Sequence, residues 1–126
     1  MELICFAPVK AHLQRLTTTV FDKLPKADNV EVYQNIDEFF GRLHQPKLLD
    51  SIIIICIRNS NEFEVIMTNK NLFINTRIIL VLPDRNKETL VNAHSINPRF
   101  LQFSNGNFNQ IAEVVKKMRR NFYSND

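Results

Sequence analysis

Glycine is scarce in this chain: Gly41 and Gly106 are the only two in 126 residues. A Cβ blocks the close approach of backbone to phosphate, so phosphate cradles usually need a glycine-rich loop. Neither a P-loop nor a GxGxxG fingerprint occurs, and nucleotide or dinucleotide chemistry of those types is not expected. Cysteine is equally sparse. Cys5 and Cys56 both fall inside predicted strands, with no CxxC motif. Two thiols are too few for a disulfide framework, and buried thiols without a cationic helper are unreactive. A regulatory Cys5–Cys56 bridge is the sharper reading, and two inert thiols the plainer one.

Other absences narrow the field further. The opening MELICFAP has no basic segment and too short an apolar run for a signal peptide. No run approaches the roughly 20 apolar residues of a membrane span. His12, His44 and His94 fall on three different predicted helices, and no HxxxH, HExxH or Cys/His cluster brings metal ligands together. No GxSxG elbow marks a nucleophile. These features predict a cytoplasmic protein that is not an enzyme, with no cofactor, no metal, no membrane partner and no nucleic-acid partner. The formal charge of +3 is modest. Much of it sits in Lys116, Lys117, Arg119 and Arg120, cations that answer the dipole at the end of a helix. No aromatic interleaving accompanies them to suggest a nucleic-acid surface.

What is present is a regular alternation. Ser51–Arg58 reads SIIIICIR, six apolar residues in a row with no polar face. So short and β-branched a run predicts a strand covered on both sides, as in a parallel sheet between helices. Leu3–Ala7 (LICFA) and Arg77–Leu82 (RIILVL) are similar. Val30–Tyr33 (VEVY) is short and alternating, as suits an edge, and Phe100–Phe103 gives a fifth strand after Pro98. Helical spacing appears between them. Val9, Leu13, Leu16, Val20 and Leu24 predict a first helix to about Leu24, with Pro8 in its first turn and Pro25 closing it. Asn35 with Glu38 resembles a capping box for a second helix carrying Ile36, Phe39, Phe40 and Leu43. Asn59 or Ser60 caps a third with Phe63, Ile66 and Met67, ending near Asn69. Lys70–Asn75 reads as a loop. Lys87–Ile96 is a fourth helix. Phe108, Ile111, Val115, Met118 and Phe122 stripe a fifth, capped by Asn107. Five strand–helix units predict one α/β domain over residues 1–126: a three-layer sandwich with a parallel sheet in the flavodoxin-like order 2-1-3-4-5.

Five such units at these spacings resemble the receiver domain of bacterial response regulators over nearly the whole chain. Receivers carry paired acidic residues after strand one, a phospho-accepting Asp at the end of strand three, a hydroxyl after strand four and a Lys after strand five. The carboxylates bind Mg²⁺ as hard oxygen ligands, and metal and Lys neutralise the phosphoryl group. Here the acidic pair maps to Phe6 and Ala7, the acceptor to Ile55 or Cys56, the hydroxyl to Leu82 and the Lys to Phe103. Glu2 and Asp50 lie at strand starts, and Asp50 is about 20 Å from the catalytic end at roughly 3.3 Å per residue. Asp84 is near that end but alone makes a poor Mg²⁺ site. The resemblance is therefore to pseudo-receivers, which keep the fold and lose the chemistry. It implies a regulatory or scaffolding module in bacterial signal transduction with a protein partner, or a homodimer. The face made by helix four, strand five and helix five is the expected docking site, with Phe100 and Phe103 as candidates. The alternative is a sensor of a small anionic or phosphorylated ligand at the strand-end loops, where Lys10, Arg58 and Arg85 are candidate anion-binding residues beside Asn59, Ser60 and Asn105.

Overall fold

The computed structural model of the chain describes residues 1–26, 28–47 and 50–123, the side chains of 122 and 123 excepted. Its elements alternate strictly: β1 (Glu2–Phe6), α1 (Lys10–Thr19), β2 (Asn29–Tyr33), α2 (Ile36–Leu43), β3 (Ile52–Cys56), α3 (Ser60–Thr68), β4 (Arg77–Leu82), α4 (Lys87–Ile96), β5 (Phe100–Phe103) and α5 (Asn109–Tyr123). All neighbouring strands are parallel, in the order β2-β1-β3-β4-β5. The order and the parallel sense are those expected from the sequence.

The isoleucine run explains the layering. Ile52, Ile54 and Cys56 join Leu3, Cys5, Ile79 and Val81 in one apolar cluster, closed by Leu16 and Val20 beside α1 and by Ile111 and Val115 of α5. Ile53 and Ile55 point the other way. They meet Ile4, Phe6, Ile78, Leu80 and Leu82 under Phe39 and Leu43 of α2, Phe63 and Ile66 of α3, and Ala93 of α4. Every residue of β3 is buried, because both of its faces are core. Phe39 anchors the second cluster, with its ring 5.2 Å from Phe6 and 6.4 Å from Phe73.

Three local readings change. α1 ends at Thr19, not near Leu24, and a 3-10 turn (Phe21–Lys23) follows it. The β-branched run Thr17–Thr19 turns its hydroxyls back onto the carbonyls of Leu13, Gln14 and Arg15, a bonding pattern that weakens and bends helices. Pro8 precedes the N-cap Val9 and so lies outside the first helical turn. The stretch from Lys70 holds a second 3-10 turn (Lys70–Phe73) that buries Phe73 in the core. Two caps are as expected: Asn35 accepts from the amides of Asp37 and Glu38, and Asn59, not Ser60, is the N-cap of α3, whereas Asn107 lies two residues ahead of α5 and accepts from the Asn109 amide at 2.9 Å. Phe122, assigned to the apolar stripe of the last helix, has its side chain outside the described residues.

Charge is handled chiefly where the strands begin. Arg42 of α2 donates to Glu2 at 2.6 Å and to Glu31 at 2.9 Å, and the Ser51 hydroxyl donates to Glu2 at 2.6 Å. Asp28, its side chain 1% exposed, pairs with Arg119 of α5 at 2.8 Å and with the amino group of Met1 at 3.2 Å. Asp50 pairs with the same amino group at 3.3 Å.

Candidate functional site

In open α/β sheets, ligands bind outside the carboxyl ends of the strands. At that end Phe6, Cys56 and Leu82 are each at most 1% exposed, and Ala7 is fully buried with its amide bonded to the Tyr33 carbonyl at 2.9 Å. Register places Phe6 beside Ile55, Cys56 beside Val81 and Leu82 beside Phe103. Ile55 and Cys56 face opposite layers, Ile55 toward α2, α3 and α4 and Cys56 toward α1 and α5.

One carboxylate does fold back over the end of β3. Glu62, in the first turn of α3 and with its side chain 6% exposed, accepts from the Arg58 amide at 2.8 Å and pairs with the Arg58 guanidinium at 2.9 Å. Asn59 in turn accepts from the Glu62 amide at 2.9 Å. The Asn59–Glu62 spacing is that of a capping box, so this latch had a readable signal, the same one noted at Asn35 and Glu38. Burial, and then the Glu62 charge, push the Cys56 thiol up to about 12. The end of β3 thus disfavours added negative charge.

Lys10, Arg58 and Arg85 do not converge. Arg58 lines a cleft of about 490 Å³ between the start of α3 and the β4–α4 turn, and neither Lys10 nor Arg85 shares it. Glu64, Asp84 and Glu88 do share it, with Asn59, Ser60 and Asn86. Arg85 instead lies over the Phe103 ring, 3.7 Å from its centroid, a cation–π contact. Lys10, the first residue of α1, and Asn105, in the loop after β5, are both exposed. An anion entering the cleft meets carboxylates as well as a cation already engaged by Glu62.

The loop after β5 is built around Gln102 and Arg15. Gln102 is buried, receives the Phe103 amide at 2.9 Å, and donates to the Asn107 carbonyl at 3.0 Å and to Gln110 at 2.7 Å. Arg15 reaches across from α1 to the carbonyls of Ser104 and Gly106, with its guanidinium 3.7 Å from the Phe108 ring centroid. A Cβ on Gly106 would come within 2.2 Å of the Gln102 side-chain oxygen, so a larger residue here would push Gln102 off its bond to the Phe103 amide. Phe100 and Phe103 are both half-buried but do not share a face. Phe100 packs on the layer of α1 and α5, and Phe103 on that of α2, α3 and α4. They flank the edge strand rather than forming one patch.

The remaining candidates stay apart. Among the described residues no group of three or more His, Cys, Asp or Glu side chains is placed to hold a metal ion. His12 is kept below its ordinary value by burial and then by Arg15. Cys5 and Cys56 are free and buried in the same layer. Cys5 pairs in register with Ile54, so Cys56 is its diagonal neighbour, and at about 7–8 Å such neighbours lie beyond the Cα separation a disulfide tolerates.

No family model and no curated protein sequence matches this chain. Solved structures do. A CheY-like protein from Pseudomonas aeruginosa superposes with a TM-score of 0.68 at 7% identity, covering 94% of this chain and 98% of its own. The fold is CheY-like. Two Burkholderia proteins share it. One from B. pseudomallei, described as pilus assembly-related, has a TM-score of 0.67 at 17% identity, covering 94% of this chain and 88% of its own. One from B. thailandensis, described as a pilus assembly protein, has the same TM-score and identity and covers 94% and 98%. Among the described residues, no helix of the CheY-like domain is long and apolar enough to cross a membrane.

Proposed function

We propose that this CheY-like domain is a non-phosphorylatable regulatory or scaffolding module of bacterial signalling that acts by presenting a fixed surface to a protein partner. The observation that carries the reading is the apolar closure of the strand ends. Buried Phe6, Cys56 and Leu82 stand where receiver chemistry requires carboxylates and a hydroxyl. Among the described residues, the buried carboxylate near them, Glu62, is engaged by Arg58. Without phosphorylation there is no differential contact to shift a population between two states, so the surface is constant. Likeness in fold to proteins described as belonging to pilus assembly is compatible with a module that works inside a larger assembly. Treatment with acetyl phosphate and Mg²⁺, followed by intact-mass measurement, is expected to leave the mass unchanged. A stoichiometric gain of one phosphoryl group would overturn the reading.

The edge strand is the docking surface of this reading. Phe103 with Arg85 stacked on it offers an aromatic–arginine pair on the α4 side of β5, a combination enriched at interface centres. Phe103→Asp is expected to weaken partner capture from the native host about tenfold or more while the far-UV spectrum is retained. Capture of every partner at wild-type level would move the docking face elsewhere. The carboxylate-rich cleft beside Arg58 does not favour the sensor of an anionic ligand.

A further inference from the structure

The end of the domain opposite the cleft gathers cations that no single stretch of sequence displays. Parallel pairing brings all five strand starts to one edge, and specific contacts tie the flanking segments there. Arg119 reaches Asp28 at 2.8 Å, Arg77 reaches the Met118 carbonyl at 3.2 Å, and the Arg99 amide reaches the Ile78 carbonyl at 2.8 Å. Around this rim stand Lys23 and Lys26 ahead of β2, Lys70 after α3, Arg99 ahead of β5, and Lys117 and Arg120 near the end of α5, all exposed. None of the six forms an ion pair among the described residues. The acids of the same end are withdrawn: Glu2, Asp28 and Asp50 are paired and buried, and Glu31 is held by Arg42. Asp22 is exposed there. The end also carries Ile74, 67% exposed, beside a groove of about 260 Å³ that Lys70, Phe73 and Ile96 share.

We propose that this end docks on an anionic bilayer surface. A helix dipole accounts for Lys117 and Arg120 but for none of the other four cations, which come from three further segments. The six come from four segments around one rim, where a plane of negative charge meets them together. Four of the six are lysines, point charges suited to a diffuse field rather than to the bidentate phosphate contacts that arginine makes on nucleic acid. The long apolar side chain of Ile74 suits the boundary between headgroups and acyl chains. This surface is separate from the β5 edge proposed for the protein partner, and it departs from the expectation, drawn from sequence alone, of no membrane contact.

Co-sedimentation of the whole chain with vesicles tests it. Vesicles of phosphatidylcholine with one-third phosphatidylglycerol are expected to bind the protein at about 0.05 M NaCl and to release it at about 0.5 M, because such attraction decays within a Debye length. Pure phosphatidylcholine vesicles are expected not to bind. Each Lys or Arg near an anionic leaflet strengthens binding about fivefold, so Lys117→Glu/Arg120→Glu is expected to weaken it about a hundredfold or more. Lys23→Glu/Lys26→Glu, on a different segment, is expected to do the same, with melting temperatures close to that of the wild type. Absence of binding to the anionic vesicles, equal binding to both compositions, or indifference to both charge reversals would overturn the proposal. Tighter binding to duplex DNA than to anionic vesicles at the same salt would also overturn it, in favour of a nucleic-acid surface.

Discussion

Asp28→Asn is expected to cost the domain about 3–5 kcal/mol, the usual penalty for removing one partner of a buried charge pair. The carboxylate is 1% exposed and takes the Arg119 guanidinium at 2.8 Å and the Met1 amino group at 3.2 Å. Asparagine keeps the shape and an acceptor oxygen but removes the buried negative charge that the Arg119 guanidinium and the Met1 amino group face, the latter keeping Asp50 at 3.3 Å. The Arg119 side chain is 33% exposed, so water recovers part of the loss and the lower half of the range is expected. For a domain of this size that amounts to a fall in melting temperature of roughly 10–20 °C. Urea denaturation checks it, with Asp22→Asn as control, since an exposed carboxylate outside any buried pair changes stability by about 0.5 kcal/mol or less. A loss below about 1 kcal/mol at Asp28 would show that the pair merely breaks even against its desolvation.

Alkaline pH is expected to destabilise the domain through its thiols. The ordinary thiol value is 9.0, and Cys56 is pushed up to about 12 by burial first and by Glu62 second. Cys5 is also raised well above its ordinary value, by burial and then by Cys56. Both thiols ionise in the unfolded chain near the ordinary value and stay protonated in the fold. The stability they confer is therefore complete below about pH 9 and is lost as pH rises, for Cys56 as it climbs toward about 12. Over those three pH units, at about 1.36 kcal/mol per unit, Cys56 alone accounts for about 4 kcal/mol. Stability against pH, measured by denaturant titration in the wild type and in Cys56→Ala, isolates the contribution from that of lysine and tyrosine. The substituted protein is expected to start lower and to fall less steeply. Parallel curves would mean that the thiol ionises as readily in the fold as outside it.

The sheet was legible because its strands obey simple rules. Ile52–Cys56 has no polar face, so it has to be covered on both sides, and the alternating Val30–Tyr33 has to be an edge. The end of α1 was not legible from spacing, because Leu24 keeps the helical period while the threonines before it undo the helix through their own hydroxyls. The separation of the candidate cations was hidden for a different reason. Arg58 and Arg85 are near in sequence to the strand ends, but one is latched by Glu62, which the capping spacing from Asn59 signals, and the other lies on Phe103, a contact that no periodicity encodes. The opposite facing of Phe100 and Phe103 was available in principle, since an odd separation along a strand puts two side chains on opposite faces. The basic rim could not be seen at all in one dimension. Lys23, Lys70, Arg99 and Lys117 meet only after a parallel sheet has carried their segments to the same edge.

The two-faced isoleucine strand has a consequence for the chain while it is being made. Ile52–Cys56 is uncharged, free of proline and strongly β-prone, the composition that seeds ordered aggregates when left uncovered. One of its faces is closed by α1 together with Ile111 and Val115 of α5, which leave the ribosome more than fifty residues later. Its partner β4 also follows it, and β1 is its one neighbour already made. At about 5–20 residues per second the strand waits several seconds, half-clothed, for its last cover. Any shortening of the chain that removes α5 makes that wait permanent, and turns a fully buried strand of the folded domain into its most adhesive segment.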